Sequence, residues 1–429
     1  MSFPECRHLA TLSVFALLSC LSVPARGETL WLETLVNGYT TRTVVAYRQQ
    51  DNALDIDRED LEKLGLKPGP ESAAADGGTI SLADIPNLAY AVDGPSQTID
   101  LQVPWQQVDP KIISVLQTTD SPVAEPVSGW GSVLSYDVFA EYQDVDGPDD
   151  GETAGGFGNA RLFAPWGVAN TSFFGQAGNG ESSLTRLEST AVFDRQENLT
   201  TWRLGDFVTG SAQWSRPVRL GGIQWSRNRD LRPDLVPYPV PSLSGEVTVP
   251  STLDVFVDGA LRYSQESEPG PFVIDDLPVI TGRGEASVVL RDALGRETVA
   301  TMPFYVSTSL LQQGLTDYGL DAGFIRREYG IESSNYGSWG ATASLRHGLM
   351  DTVTLEGHAE TAGDLVMAGG GAYVQVGTLG VVNASGAWST MEGGDTGTMV
   401  SAGFEHRSAT LTVGGQLTLT QGQFADMAL

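Results

Sequence analysis

The 429-residue sequence predicts a mainly β protein, and three observations carry that reading. Segments of about ten residues alternate polar and apolar side chains through much of the chain, the period of a strand with two different faces. Gly is abundant at 50 residues and only 18% of residues are charged, a mix that suits strands and turns better than helices. Gly, Asp and Asn fall between the alternating segments, where hairpins need them.

Taken in order, residues 1–25 read as a secretory signal. Arg7 and His8 precede an apolar run from Leu9 to Val23, and Val23-Pro24-Ala25 offers small residues for cleavage. The run is too short to span a membrane. Cys6 and Cys20 both lie within residues 1–25, so the mature chain is expected to hold neither disulfides nor thiolate metal sites.

Residues 28–125 predict an α+β module. Two strands flank Asn37-Gly38, a hairpin signal. A strand and a short helix follow in "ALDIDREDLEKLGLKPG", with Asp57 as the expected cap and Gly65 as the stop. "IPNLAYAVDGPSQTIDLQVP" adds two short strands.

The alternation proper occupies 128–235 and 310–429. In "DTVTLEGHAE", Val353, Leu355, Gly357 and Ala359 alternate with Thr354, Glu356, His358 and Glu360. Two environments fit: an antiparallel sandwich with one solvated face, or an outer-membrane barrel with lipid outside and a wet lumen inside. A tight turn at 348–351 set against long polar loops such as "QDVDGPDDGETAGG" is the barrel habit. Trp166, Trp202, Trp214, Trp225, Trp339 and Trp388 lie where girdle residues would sit.

The series is interrupted once. Pro233, Pro237, Pro239 and Pro241 forbid regular pairing. Residues 244–306 then read as about five strands, enough for a small β-sandwich, with a rigid turn and strand at Pro269, Gly270, Pro271 and Phe272.

Several chemistries are excluded or disfavoured. A net charge of −28 argues against nucleic acid. The three lysines, Lys63, Lys67 and Lys111, include no Gly-Lys-Ser/Thr phosphate loop, so no nucleotide is expected. Asp275 and Asp276 are adjacent, so as a strand pair they would point to opposite faces, and a turn role is preferred to a catalytic dyad. The acidic run Asp144, Asp146, Asp149, Asp150 and Glu152 reads as a solvated loop. His347, His358 and His406 lack zinc spacing, and no catalytic nucleophile, metal or cofactor is expected.

From residue 28 onward the chain resembles the outer-membrane ushers of the chaperone–usher pathway. The residues that carry the resemblance are "WRLGDFVTG", "RPVRLGGIQWSRN", "VPSTLDVFVDGALRY", "EPGPFVIDDLPVITGRGEASVVLRDALGRE" and "PFYVSTSLLQQGLTDYGLDAGFIR". The resemblance implies a periplasmic amino-terminal domain at 28–125, first barrel strands at 128–235, a plug domain at 244–306 and further barrel strands at 310–429. It implies a non-enzymatic pore that receives chaperone–subunit complexes and assembles fimbrial subunits without ATP. The implied partners are a periplasmic fimbrial chaperone, fimbrial subunits and outer-membrane lipid. The family barrel has twenty-four strands and is followed by two periplasmic domains, so the chain is expected to be an amino-terminal half. A passive outer-membrane channel or plugged transporter, and a secreted multi-sandwich binding protein, are the alternatives.

Candidate site residues follow. Leu30, Trp31 and Leu32 are candidates for a chaperone–subunit face. Arg203, Asp206, Glu356 and Glu405 are candidates for gating or wall contacts. Arg262, Arg283, Arg291 and Arg296 of the interrupting unit are expected to face Glu356, Glu360 and Glu405.

Overall fold

The computed structural model describes residues 28–50, 53–67, 78–115, 129–143, 151–178 and 181–428. The expected signal segment, both cysteines and the acidic residues 144–150 lie outside them. The chain divides into two units, Met1–Pro110 and Lys111–Leu429.

The first unit is a six-stranded sheet with one short helix. Strands β1 (Glu28–Val36) and β2 (Tyr39–Gln50) turn at Asn37-Gly38, whose φ angles are 52° and 82°. Two successive positive φ values give a turn whose twist matches a hairpin, and Asn-Gly adopts it at little cost. Next come β3 (Ala53–Asp57), α1 (Arg58–Lys63), β4 (Thr79–Ser81), β5 (Ala89–Asp93) and β6 (Thr98–Gln102). The sheet order is β4-β3-β2-β1-β6-β5, with β1 and β6 parallel. Leu32, Val45, Tyr47, Ile56, Leu61, Ile99 and Leu101 close a core, each aliphatic contributing about 1.5–3 kcal/mol by its burial. The Tyr47 hydroxyl lies 2.8 Å from Thr34 Oγ1, and burial pushes its pKa up to about 12. Asp57 holds the expected N-cap position, but its carboxylate makes no cap hydrogen bond and instead accepts from Arg48 and Thr79.

The second unit begins with β7 (Lys111–Ser114). Six long strands follow: β8 (Gly131–Gln143), β9 (Gly151–Ala164), β10 (Gly167–Gly178), β11 (Glu181–Arg195), β12 (Thr200–Val208) and β13 (Arg219–Arg227). An insert of six strands interrupts them: β14 (Leu243–Val247), β15 (Ser251–Val257), β16 (Ala260–Ser267), β17 (Gly270–Asp275), β18 (Gly282–Asp292) and β19 (Glu297–Val306). Seven more long strands close the chain: β20 (Thr316–Arg326), β21 (Tyr336–Met350), β22 (Val353–Ala362), β23 (Leu365–Gln375), β24 (Val381–Thr390), β25 (Thr396–Arg407) and β26 (Thr412–Gly422).

The six and the seven form one antiparallel 13-stranded sheet in chain order, with β13 hydrogen-bonded to β20 across the insertion. Antiparallel succession gives the sheet two rims. The near rim carries the start of β8, both connections to the insert and the turns 351–352, 376–380 and 408–411; the far rim carries 209–218, 327–335 and 391–395.

Alternation separates the two faces of this sheet. One face carries Leu204, Ile223, Leu320, Leu345, Leu355, Val400, Leu417 and Leu419, all exposed. The other carries Gln224, Asp321, Thr342, Thr354, His358, Glu360, Ser385 and Ser401, all buried. Leu417 is 64% exposed, whereas Ser401, one strand away on the opposite face, is 1% exposed. At the near rim the exposed face holds stacked rings: Trp166 on Phe193 at 5.6 Å, Trp202 on Trp225 at 5.5 Å, and Trp225 against Tyr318 at 4.8 Å.

The insert is a sandwich of two sheets, β16-β15-β18-β19 and β14-β17-β7. Leu253, Val255, Phe272, Ile274, Leu277 and Val288 fill the space between them. The expected five strands are six, and a seventh comes from outside the insert.

Candidate functional site at the seam between the insert and the sheet

The insert leaves the sheet after β13 and returns at β20, so both connections reach the near rim. The return segment, 307–315, makes the densest polar contacts. Ser307 Oγ donates to Glu405 Oε1 at 2.6 Å, and Ser309 Oγ donates to the same oxygen at 3.4 Å. Arg346 Nη2 donates to Ser309 O at 2.8 Å. The amide of Leu311 donates to Thr354 Oγ1 at 2.8 Å, and that of Gln313 donates to Asp351 Oδ1 at 2.9 Å. The amide of Gly348 donates to Leu315 O at 2.9 Å, which extends the sheet ladder into this segment. Tyr305, Leu310 and Val381 bury a small apolar patch beneath it.

A second contact lies at the turn between β25 and β26. Arg407 Nη1 donates to Thr281 Oγ1 at 3.1 Å, and Arg283 forms an isolated bridge with Ser408. Hydrogen bonds of this kind contribute about 1 kcal/mol each.

The expected acid–arginine pairing across this seam is corrected. Arg291 pairs with Glu297 at 2.8 Å and Arg296 with Asp292 at 2.7 Å, both within the insert. Glu360 Oε1 takes His358 Nε2 at 2.8 Å. Arg262 is exposed on β16. Glu356 sits 3.7 Å from Arg346, the residue that grips Ser309, and so reaches the return segment through it. Glu405 touches the segment directly, through serines. Arg291 and Arg296 are taken by carboxylates of their own hairpin, six and four residues away.

Arg203 and Asp206 lie in the sheet. Arg203 Nη1 donates to Gln224 Oε1 at 2.5 Å. Asp206 accepts from Arg186 Nη1 at 2.5 Å, Tyr336 Oη at 2.6 Å and the Ser189 amide at 2.9 Å, with Arg326 Nη1 at 2.9 Å. This cluster pins the far-rim loop 327–335, because Arg186 also donates to Ser333 O. The nearby arginines Arg216 and Arg219 pair elsewhere, Arg216 with Asp426 and Arg219 with Glu188.

Trp214 departs from the expected girdle. The far-rim loop 209–218 folds onto the polar face and buries Trp214 among Met367, Ala387 and Met399. Gly369 makes room for it, since a Cβ there would lie 2.6 Å from Trp214 Nε1.

Pro269 ends a loop, Gly270 and Pro271 open β17, and Phe272 enters the insert's core. Asp275 ends β17, and its Oδ1 accepts the amide of Asp276, whose φ of 53° turns the chain. In the first unit Trp31 is 65% exposed, Leu32 is buried, and Leu30 packs on the core. Of those three, Trp31 is the one presented to solvent. Among the described residues no cluster of His, Cys, Asp and Glu is arranged to hold a metal ion.

The family model described as outer membrane usher protein matches residues 163–410. The chain is 27% identical over 199 residues to the outer membrane usher protein YehB of Escherichia coli K12, which covers 46% of this chain and 23% of that protein. It is 26% identical over 264 residues to the usher FaeD of Escherichia coli, 60% of this chain and 31% of that one. The chain thus spans less than a third of the length of these two relatives. Among solved structures, the translocation pore of the P pilus usher PapC is 20% identical at a TM-score of 0.39, covering 69% of this chain and 61% of that one. An E. coli P pilus tip assembly intermediate, PapC-PapD-PapK-PapG, gives 18% identity and a TM-score of 0.48, covering 89% and 50%.

Proposed function

The chain belongs to the outer membrane usher family, and from that premise we propose that it receives chaperone-bound fimbrial subunits and passes them through a plug-gated β-barrel pore without ATP. On this reading the 13-stranded sheet is part of the barrel wall, the insert is the plug, and the first unit is the periplasmic receiving domain. The near rim faces the periplasm and the far rim faces outward. The chain works as an assembly platform rather than an enzyme, and subunit addition draws on β-strand complementation between subunits.

One observation supports this reading above the rest. The sheet is inverted relative to a soluble sandwich: Leu204, Leu320, Leu355, Val400 and Trp388 stand exposed on one face while Asp321, Glu360, Ser401 and His358 are buried on the other. Such a face is stable against hydrocarbon and unstable against water. The stacked rings at the near rim then lie at the lipid headgroups, where an aromatic side chain satisfies both phases. Strands β8 and β26 each keep one edge unpaired among the described residues. In lipid each orphan backbone group costs several kcal/mol, so both edges must be paired in the membrane.

Deleting residues 244–306 tests the plug. The deleted protein, shown to be present in the outer membrane, is expected to admit bulky antibiotics and to conduct steadily in planar bilayers. Unchanged permeability overturns the assignment. Binding of a chaperone–subunit complex to residues 28–110, weakened by Trp31→Ala, tests the receiving role.

A further inference from the structure

We propose that residues 111–115 are a strand of the insert rather than a linker, so that the amino-terminal unit is anchored on the insert. Strand β7 runs parallel to β17, with Lys111 opposite Phe272 and Ser114 opposite Asp275. The amide of Val115 donates to Asp275 O at 3.3 Å, and Ser114 Oγ donates to Asp276 Oδ2 at 3.3 Å. Side chains alternate as a strand requires. Ile113 and Val115 are buried with Leu243, Phe272, Ile274 and Leu277, while Ser114 between them is exposed and Ile112 before them is 74% exposed. The segment therefore fills an edge of β17 that the insert leaves open, as an added strand does in β-augmentation.

Connectivity gives this pairing its consequence. The first unit ends at Pro110 and β7 begins at Lys111, with nothing between them. In sequence the amino-terminal unit is directly continuous with this strand of the insert's sheet, whereas residues 115–130 separate the strand from β8. Given the plug reading above, on which this consequence rests, displacing the insert carries the anchor of the receiving domain with it. Opening of the pore and placement of the incoming subunit become one movement.

Hydrogen exchange on the membrane-embedded full chain tests the pairing. Amides of 111–115 are expected to exchange at least about tenfold more slowly than in Ile113→Asp, whose buried charge expels the strand. Ile112→Asp, pointing outward, should keep that protection. Because Ile113→Asp also weakens the insert, the protein lacking 244–306 serves as the second comparison, and there 111–115 should exchange freely. Equal rates in the unaltered protein and Ile113→Asp overturn the proposal, as does protection that survives deletion of the insert. Exchange reports the pairing whatever the pore does, so a failed permeability test and a failed pairing test are told apart.

Discussion

Ser307, the first residue past β19, donates its hydroxyl to Glu405 Oε1 at 2.6 Å and thereby latches the segment leaving the insert to strand β25. Glu405→Ala removes the acceptor for both serines, while Glu405→Gln keeps an oxygen in place. A part-exposed hydrogen bond is worth about 1 kcal/mol, and about 1.4 kcal/mol changes an equilibrium tenfold. Glu405→Ala is therefore expected to raise the open fraction of single pores several-fold, and Glu405→Gln less. The double change Ser307→Ala with Glu405→Ala should add little to the single one. Equal open fractions in all of these proteins would remove Glu405 from the latch.

Asp206 is enclosed by Arg186 and Arg326, and the Arg326 side chain is fully buried beside it. Asp206→Asn leaves that guanidinium without its counter-charge. Breaking a buried pair from one side costs about 3–5 kcal/mol. The expected result is a lower unfolding temperature in detergent together with new protease cleavage in 327–335, the loop that Arg186 holds through Ser333. Wild-type stability and resistance in Asp206→Asn would show that the cluster fixes neither.

Trp214 occupies space that glycine leaves on the polar face. A Cβ at Gly369 would meet Trp214 Nε1 at 2.6 Å and Ala387 Cβ at 2.7 Å, whereas one at Gly357 would meet nothing within 4 Å. Gly369→Val is expected to push loop 209–218 off the sheet, at about 1–3 kcal/mol for overpacking. Indole quenching by a water-soluble agent should rise in Gly369→Val and stay unchanged in Gly357→Ala.

What the sequence revealed follows from the range of the physics. Period-two alternation and the Asn37-Gly38 turn are local, so strands and hairpins were legible from neighbouring residues. The polar return segment 307–315 was not, because Ser307, Ser309 and Leu311 find partners 40 to 100 residues away, at Glu405 and Thr354. Strand β7 has four residues and parallel pairing with a strand far along the chain, too short to show a period. Trp214 looked like its fellow tryptophans in composition, and only the glycines of β23 show that it turns inward. The acid–arginine pairing failed for the opposite reason: hairpin geometry offered nearer partners.

Tyr47 gives the first unit a sign-defined response to pH. Burial raises its pKa to about 12, against about 10 for an unfolded tyrosine. A raised folded value means that the neutral phenol is favoured in the fold. Its contribution is fully present below pH about 10 and is lost as pH rises toward 12, amounting to about 2–3 kcal/mol. Urea unfolding of residues 28–110 should weaken across that window. Tyr47→Phe, which cannot ionise, should remove the alkaline loss while leaving Thr34 Oγ1 without its partner. An identical alkaline profile in Tyr47→Phe would assign the loss to other groups.

The exposed face of the sheet makes a demand that the insert does not. Ala359 lies mid-strand in β22 on that face, opposite Ala343 and Ala368 of its neighbours. Leu294 sits at the tip of the insert's β18–β19 hairpin and is 81% exposed. If the sheet faces hydrocarbon, Ala359→Arg places a guanidinium near the bilayer midplane, at about 2–4 kcal/mol. Leu294→Arg places the same group in water and costs almost nothing. Refolding into lipid vesicles, followed by the heat-dependent gel shift of folded barrels, compares the two directly. Ala359→Arg should refold to a lower yield or at a higher denaturant sensitivity than Leu294→Arg. Equal behaviour would mean that this apolar face is covered by protein rather than lipid, and the pore would have to be sought elsewhere in the chain.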